Sequence, residues 1–225
     1  MAFLLPLCQV AGAALPARTF VDALDVRAVL DDGSVANAAQ LVEWFVGYLA
    51  DWLAPVEAQG VVSAQSLARA WRSAVRSSQQ TAGDLALRLK ALDKRLFDAE
   101  RSTHGREARL TAGRRYLQIA LKRYPLAGLE AYERWVMDGD CEGHPAVVHG
   151  WVCAYLRVEE RAAVHMYLSA VAQHSVQVAV ERGVIGSRET LSVLGPIAPQ
   201  LERFVDASLS APDVHDGRLV LAPTT

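Results

Sequence analysis

Between Gly143 and Gly186 the chain reads GHPAVVHGWVCAYLRVEERAAVHMYLSAVAQHSVQVAVERGVIG. This stretch constrains the fold more than any other. Pro145 stands where a helix accepts a proline, in the first turn, where the missing N–H costs nothing. Val147, Val148, Trp151, Val152 and Tyr155 follow at helical spacing. Arg157 and Val158 make a short break, and Glu159 and Glu160 then suit the positive end of a second helix. Ala163, Val164, Tyr167, Leu168, Val171, Ala172, Ser175, Val176, Val178 and Ala179 extend that helix for about six turns. A helix apolar over most of its circumference belongs at the centre of a protein. The expected architecture is therefore all-α: a single-domain helical bundle around a central buried helical hairpin, with residues 1–210 as the helical domain.

The rest of the chain supplies the shell. Residues 3–12 and 19–30 read as short helices, the second capped by Thr19. Asn37 caps a strongly periodic helix carrying Leu41, Trp44, Phe45, Tyr48, Leu49 and Trp52, which Pro55 stops. Ser63 opens the next, with Leu67, Ala70, Trp71 and Val75 inward. Another starts at Thr81 or Asp84 and turns Leu85, Leu87, Leu89, Leu92 and Leu96 to the core. The polar segment 98–107 reads as a surface loop. Helices over 107–123 and 126–137 follow, the first with Leu110, Gly113, Leu117, Ile119 or Ala120, and Leu121 inward. A last helix over 189–210 is expected to be interrupted at Gly195-Pro196 and Pro199. The tail 211–225 is expected to be mobile, and its Arg218–Ala222 run is the one strand candidate.

Composition sets limits. The chain has 225 residues, is 52% hydrophobic and carries a net charge of −2, so no global field favours nucleic acid or an anionic membrane. Arg far outnumbers Lys, which occurs only as Lys90, Lys94 and Lys122. The three cysteines, Cys8, Cys141 and Cys153, form no disulfide framework, and a reducing compartment fits them. Residues 2–15 are apolar but short and lack a basic leader, so neither a signal peptide nor a membrane span is expected. A cytoplasmic protein is the simplest reading.

No phosphate loop, dinucleotide fingerprint or nucleophile elbow is present, and no cofactor or catalytic residue is expected. His149 and Cys153 lie four residues apart on one helical face, with Cys141 and His144 just upstream. Such a set could ligate a soft metal. A single His/Cys pair is of low specificity, and a small core cysteine beside a hydrogen-bonded histidine is the more economical reading. His165 and His174 lack metal spacing. Asp138, Asp140 and Glu142 read as a solvated acidic turn, and the tryptophans as core. Arg106, Arg109, Arg114, Arg115, Lys122 and Arg123 gather on one helix, either as a solvated face or as a docking surface for an acidic protein.

Four segments resemble the urease accessory protein F (UreF) family. LLPLCQVAGAALPARTF is similar to LLQLxSPxLPxGGF and keeps Leu4, Leu5, Leu7, Leu15, Pro16 and Phe20. REARLTAGRRYL keeps the family's Arg106, Glu107, Ala108, Gly113 and Arg114. GHPAVVHGWVCAYLRVEERAAVHMYL resembles HxPVVFGxxAAxLGLxxEEALxAYL. AQHSVQVAVERGVIGSRETL keeps Val176, Ala179, Val180 and Gly186. The chain departs at Arg18 and Thr19 (glycines in the family), at Asp22 and Ala23, at Gln173, His174 and Ser175 (Glu-Asn-Gln), and at Glu181 (lysine). The resemblance implies a helical, non-catalytic scaffold, commonly a homodimer. It would dock on UreD (UreH), recruit the GTPase UreG and help to insert nickel into apo-urease. Phe20, Arg106, Glu107, Arg109, Arg114, Gln173, His174, Glu181 and Gly186 are the implied partner-interface residues. Two other readings stay open: a small metal-binding protein or metal-dependent enzyme using Cys141, His144, His149 and Cys153, and a helical adaptor unrelated to urease.

Overall fold

A computed structural model describes residues 24–53, 72, 82–99, 103–124, 127–210, 214–215 and 218–219. The helices expected over 3–12 and 63–75, apart from Arg72, lie outside them, as does Thr19. Eight α-helices occur among the described residues: α1 Leu24–Asp31, α2 Ala38–Leu53, α3 Ala82–Ala99, α4 Thr103–Arg123, α5 Ala127–Met137, α6 Pro145–Tyr155, α7 Glu160–Glu181 and α8 Thr190–Ser210, with one 3₁₀ turn at Ser187–Glu189. None is long and apolar enough to cross a membrane.

The helical hairpin is α6 and α7. Every residue from Pro145 to Cys153 in α6 is buried. On one side α6 packs against α4 and α3, while α7 packs against α8 and α1, and α2 covers α8. The core is therefore continuous from Leu89 and Leu117 through Trp151 and Leu168 to Val193, Ile197 and Phe45.

Local chemistry sets several boundaries. Asn37 Oδ1 accepts from the Gln40 N–H at 3.0 Å, which caps α2 as its sequence suggests. In α2, Leu41 and Phe45 are buried, and Trp44 and Tyr48 stack with their ring centroids 5.0 Å apart. Two backbone bonds close the hairpin turn: Val158 N–H donates to Cys153 O at 2.9 Å and Arg157 N–H to Ala154 O at 3.0 Å. That motif puts Arg157 in the left-handed region, φ 55°. At the far edge, Arg72 donates to the Leu209 carbonyl at 3.1 Å and pairs with Glu160 at 2.6 Å, tying the end of α8 to the start of α7. Arg161 adds bonds to Glu202, at 2.7 Å, and to Asp206.

Three expectations are corrected. Residues 103–107 are not loop but the first turn of α4, Gly105 included. Their polar composition is also that of an exposed helical turn, and Arg, Glu and Ala are good helix formers. Leu87 does not face the core but is 68% exposed. Leu89, Leu92 and Leu96 define the inward face of α3, and Leu87 lies well round the helix from them. The last helix runs unbroken through Pro196 and Pro199. Both prolines are exposed, whereas Val193, Ile197, Leu201 and Val205 are buried against α7 and α2. Burial of that stripe outweighs the missing backbone bonds. In the tail, Val214–His215 pairs antiparallel with Arg218–Leu219, at the start of the strand candidate.

Candidate docking surface and the polar seam behind it

The start of α6 is built on Asp93 of α3. This side chain is fully buried. Its Oδ2 accepts from Tyr132 OH at 2.8 Å, from Gly143 N–H at 3.0 Å and from Glu142 N–H at 3.1 Å, and its Oδ1 accepts from His144 N–H at 3.0 Å. One carboxylate thus joins α3, α5 and the loop that enters α6. Gly143, at φ +80°, lets that loop turn its N–H groups to one point. His144 is the N-cap of α6 and accepts from Ala146 N–H at 3.2 Å through Nδ1. On the surface of the same junction Lys90 pairs with Asp140 at 3.0 Å.

A polar seam runs along α6. His149 Nδ1 lies 3.0 Å from Tyr116 OH, and its Nε2 lies 3.1 Å from the Ala163 carbonyl and 3.3 Å from Cys153 Sγ. Tyr167 of α7 packs on the imidazole with centroids 5.6 Å apart. Both ring nitrogens of His149 are therefore committed inside the hairpin. Burial pushes the Cys153 and Cys141 thiols up to about 12, so neither is an available nucleophile. Among the described residues no three His, Cys, Asp or Glu side chains converge as a metal site. Of the set Cys141, His144, His149 and Cys153, only His149 and Cys153 meet, and the four do not converge on one point.

The implied interface residues fall into distinct settings. Phe20, Arg18, Thr19, Asp22 and Ala23 lie outside the described residues. Arg106 lies in the first turn of α4. Glu107 and Arg114 are exposed on that helix, with Arg114 Nε 3.3 Å from the Glu142 carbonyl. Arg109 is half-buried, and its charge acts on His144 and on Tyr167 of α7. It faces the seam more than solvent. Gln173 and His174 are half-buried in α7. Glu181 is exposed at the end of α7, where Gln177 donates to it at 3.0 Å. Gly186 is exposed beyond α7, and its N–H donates to Glu189 at 2.6 Å.

The sequence reading missed Asp93, Tyr116 and Tyr132. For Asp93 a signal existed: a charged residue inside the inward stripe Leu89, Leu92, Leu96. An acid on a core face needs donors, and here they come from a loop some fifty residues away in sequence.

The buried titratable groups give the fold a definite pH response. Burial lowers His144 to about 3, with the Arg109 charge adding to the effect, and lowers His149 to about 4. An unfolded chain protonates both near 6.5. Their contribution to stability is therefore full above pH 6.5 and is lost as pH falls towards 4. Asp93 acts in the opposite sense: burial outweighs its four donated hydrogen bonds and raises it to about 6, so its proton favours the folded state below that pH. Two protons gained by the unfolded chain against one leave a net of one between pH 6 and 4. Stability should fall by roughly 1.4 kcal/mol per pH unit there. Urea midpoints across pH 7 to 4.5 test this; His149→Gln should flatten the dependence, and an equally steep variant would contradict the assignment.

The class this defines is an all-helical body in which His149, Cys153 and Asp93 are engaged in its own packing. The UreF family profile matches residues 35–195, and the chain belongs to the UreF family. The match takes in three of the four segments that carry the resemblance; LLPLCQVAGAALPARTF lies before it. The chain is similar to "Urease accessory protein UreF" of Corynebacterium glutamicum (strain R), 24% identical over 178 residues, 79% of this chain and 71% of that one. It is also similar to "Urease accessory protein UreF" of Paenarthrobacter aurescens (strain TC1), 33% identical over 144 residues, 60% of this chain and 65% of that one.

Proposed function

We propose that this chain is a urease accessory protein that acts as a non-catalytic scaffold in the cytoplasm. With UreD (UreH) and UreG it supports GTP-dependent insertion of nickel, the cargo, into apo-urease, and it works as a homodimer. The observation that carries this reading is the family match over residues 35–195, which spans the body from α2 into α8. The geometry agrees in kind: buried polar groups hold helices in place, and exposed charge is left on α4 and at the end of α7. Glu107, Arg114, Glu181 and Gly186 are the surface positions assigned to partner contact. Gln173, His174 and Arg109 shape the surface from just beneath it, and Phe20 and Arg106 complete the set.

Co-expression with UreD and UreG should give a complex that co-elutes on size exclusion. Separate elution of the three proteins would remove the scaffold role.

A further inference from the structure

The tip of the central hairpin carries a residue that the fold does not need. Arg157 adopts φ 55°, a backbone conformation that costs a non-glycine residue energy. The bonds that close the turn, Arg157 N–H to Ala154 O and Val158 N–H to Cys153 O, are backbone only and form with glycine equally well. The side chain is exposed, and among the described residues it has no hydrogen bond or ion pair. Among the described residues no side-chain bond of Arg157 offsets the strain. Neighbouring charges are already used: Glu160 holds Arg72, and Arg161 holds Glu202 and Asp206.

Two further cations stand at this end of the bundle. Gly113 of α4 abuts Gly143 and Pro145, and Tyr116 meets His149, so α4 and α6 run in the same direction. Carried forward, that register brings the end of α4, with exposed Lys122 and Arg123, level with Tyr155 and the hairpin tip. Neither has an ion pair among the described residues. Glu130 and Glu159 are exposed nearby, but each sits at a helix N-terminus, whose dipole partly satisfies it. Half-buried Tyr155 and Leu156 flank Arg157 with apolar surface. Arginine beside an aromatic is the composition of an interface anchor.

We propose that Arg157 is a docking residue: the hairpin tip presents its guanidinium, backed by Lys122 and Arg123, to carboxylates of an acidic segment on a partner protein. This rests on the scaffold role above. A planar fork that binds a carboxylate bidentately explains why arginine stands where glycine would be easier.

The test compares full-length wild type, Arg157→Gly and Arg157→Lys. Each is titrated with UreD and with UreG at low and high salt, and each is melted. Arg157→Gly should melt about 2–4 °C higher, because strain is relieved. It should also bind one partner about tenfold more weakly, with a shallower salt dependence. Arg157→Lys should recover part of the affinity. Undiminished binding by Arg157→Gly would overturn this proposal and leave the scaffold role standing. A lower melting point for that variant would remove the strain argument and the proposal with it. Failure of the wild type to bind either protein would end both readings.

Discussion

Asp93→Ala is expected to destabilise the protein by about 3–5 kcal/mol, a large part of the stability of a domain of this kind. The substitution leaves Tyr132 OH and the N–H groups of Glu142, Gly143 and His144 buried or nearly so without their acceptor. Each orphaned donor costs about 1–3 kcal/mol, less whatever water and loop relaxation return. The damage should be local in origin. Amide exchange at residues 142–144 should accelerate first, before α7 and α8 lose protection. Asp93→Asn keeps the volume and an acceptor oxygen but turns an NH₂ towards donors, so it should fall between wild type and Asp93→Ala. If Asp93→Ala shifts the urea midpoint no more than a surface substitution, the carboxylate does not anchor α6.

Gly113→Ala is expected to cost about 3 kcal/mol, the upper end for overpacking by one methyl. A Cβ at this position would overlap the Gly143 carbonyl oxygen and stand 2.8 Å from Pro145 N. Those are backbone atoms of the loop that Asp93 holds, so they cannot swing aside as a side-chain tip would. α4 would have to move off α6, stretching the Tyr116–His149 bond. The sign is informative, because glycine to alanine inside a helix ordinarily stabilises by about 0.5–1 kcal/mol. Gly47 of α2 provides the control: among the described residues nothing lies within 4 Å of its added Cβ. Gly47→Ala should therefore raise the unfolding midpoint while Gly113→Ala lowers it. Movement of both in one direction would mean that α4 and α6 are not in the close contact described.

These expectations converge on one junction, where α3, α4 and α5 meet the start of α6. Part of the surface assigned to partner contact, at Glu107 and Arg114, lies on α4, one of the helices that meet there. A variant that loosens it should weaken assembly without touching a docking residue, so stability must be measured beside binding in every interface experiment.

Much of the helical content was legible because it rests on local patterns. The period of Leu41 and Phe45, the cap at Asn37, the proline at position 145 and the apolar run of α7 are encoded within a few turns. Membership of the UreF family was legible for a similar reason: its motifs are mostly packing patterns in a fixed order. The candidate interface was less so. Arg109 reads as one more cation on a basic helix, yet it lies half-buried with its charge acting on His144 and Tyr167. Leu87 reads as core and is exposed, because a run of alternate leucines does not say which of them the neighbouring helix will cover.

By itself, then, the sequence determined an all-helical chain, a buried hairpin as its centre, and the family. Tertiary structure alone decided that Asp93 is an anchor, that the two prolines lie within α8, and that Tyr116, the Ala163 carbonyl and Cys153 are the internal partners of His149. The physical reason is range. Helical periodicity and capping act across three or four residues. The groups that satisfy a buried carboxylate, and the helices that cover the apolar stripe of proline-bearing α8, come from segments distant in the chain, and only packing brings them together.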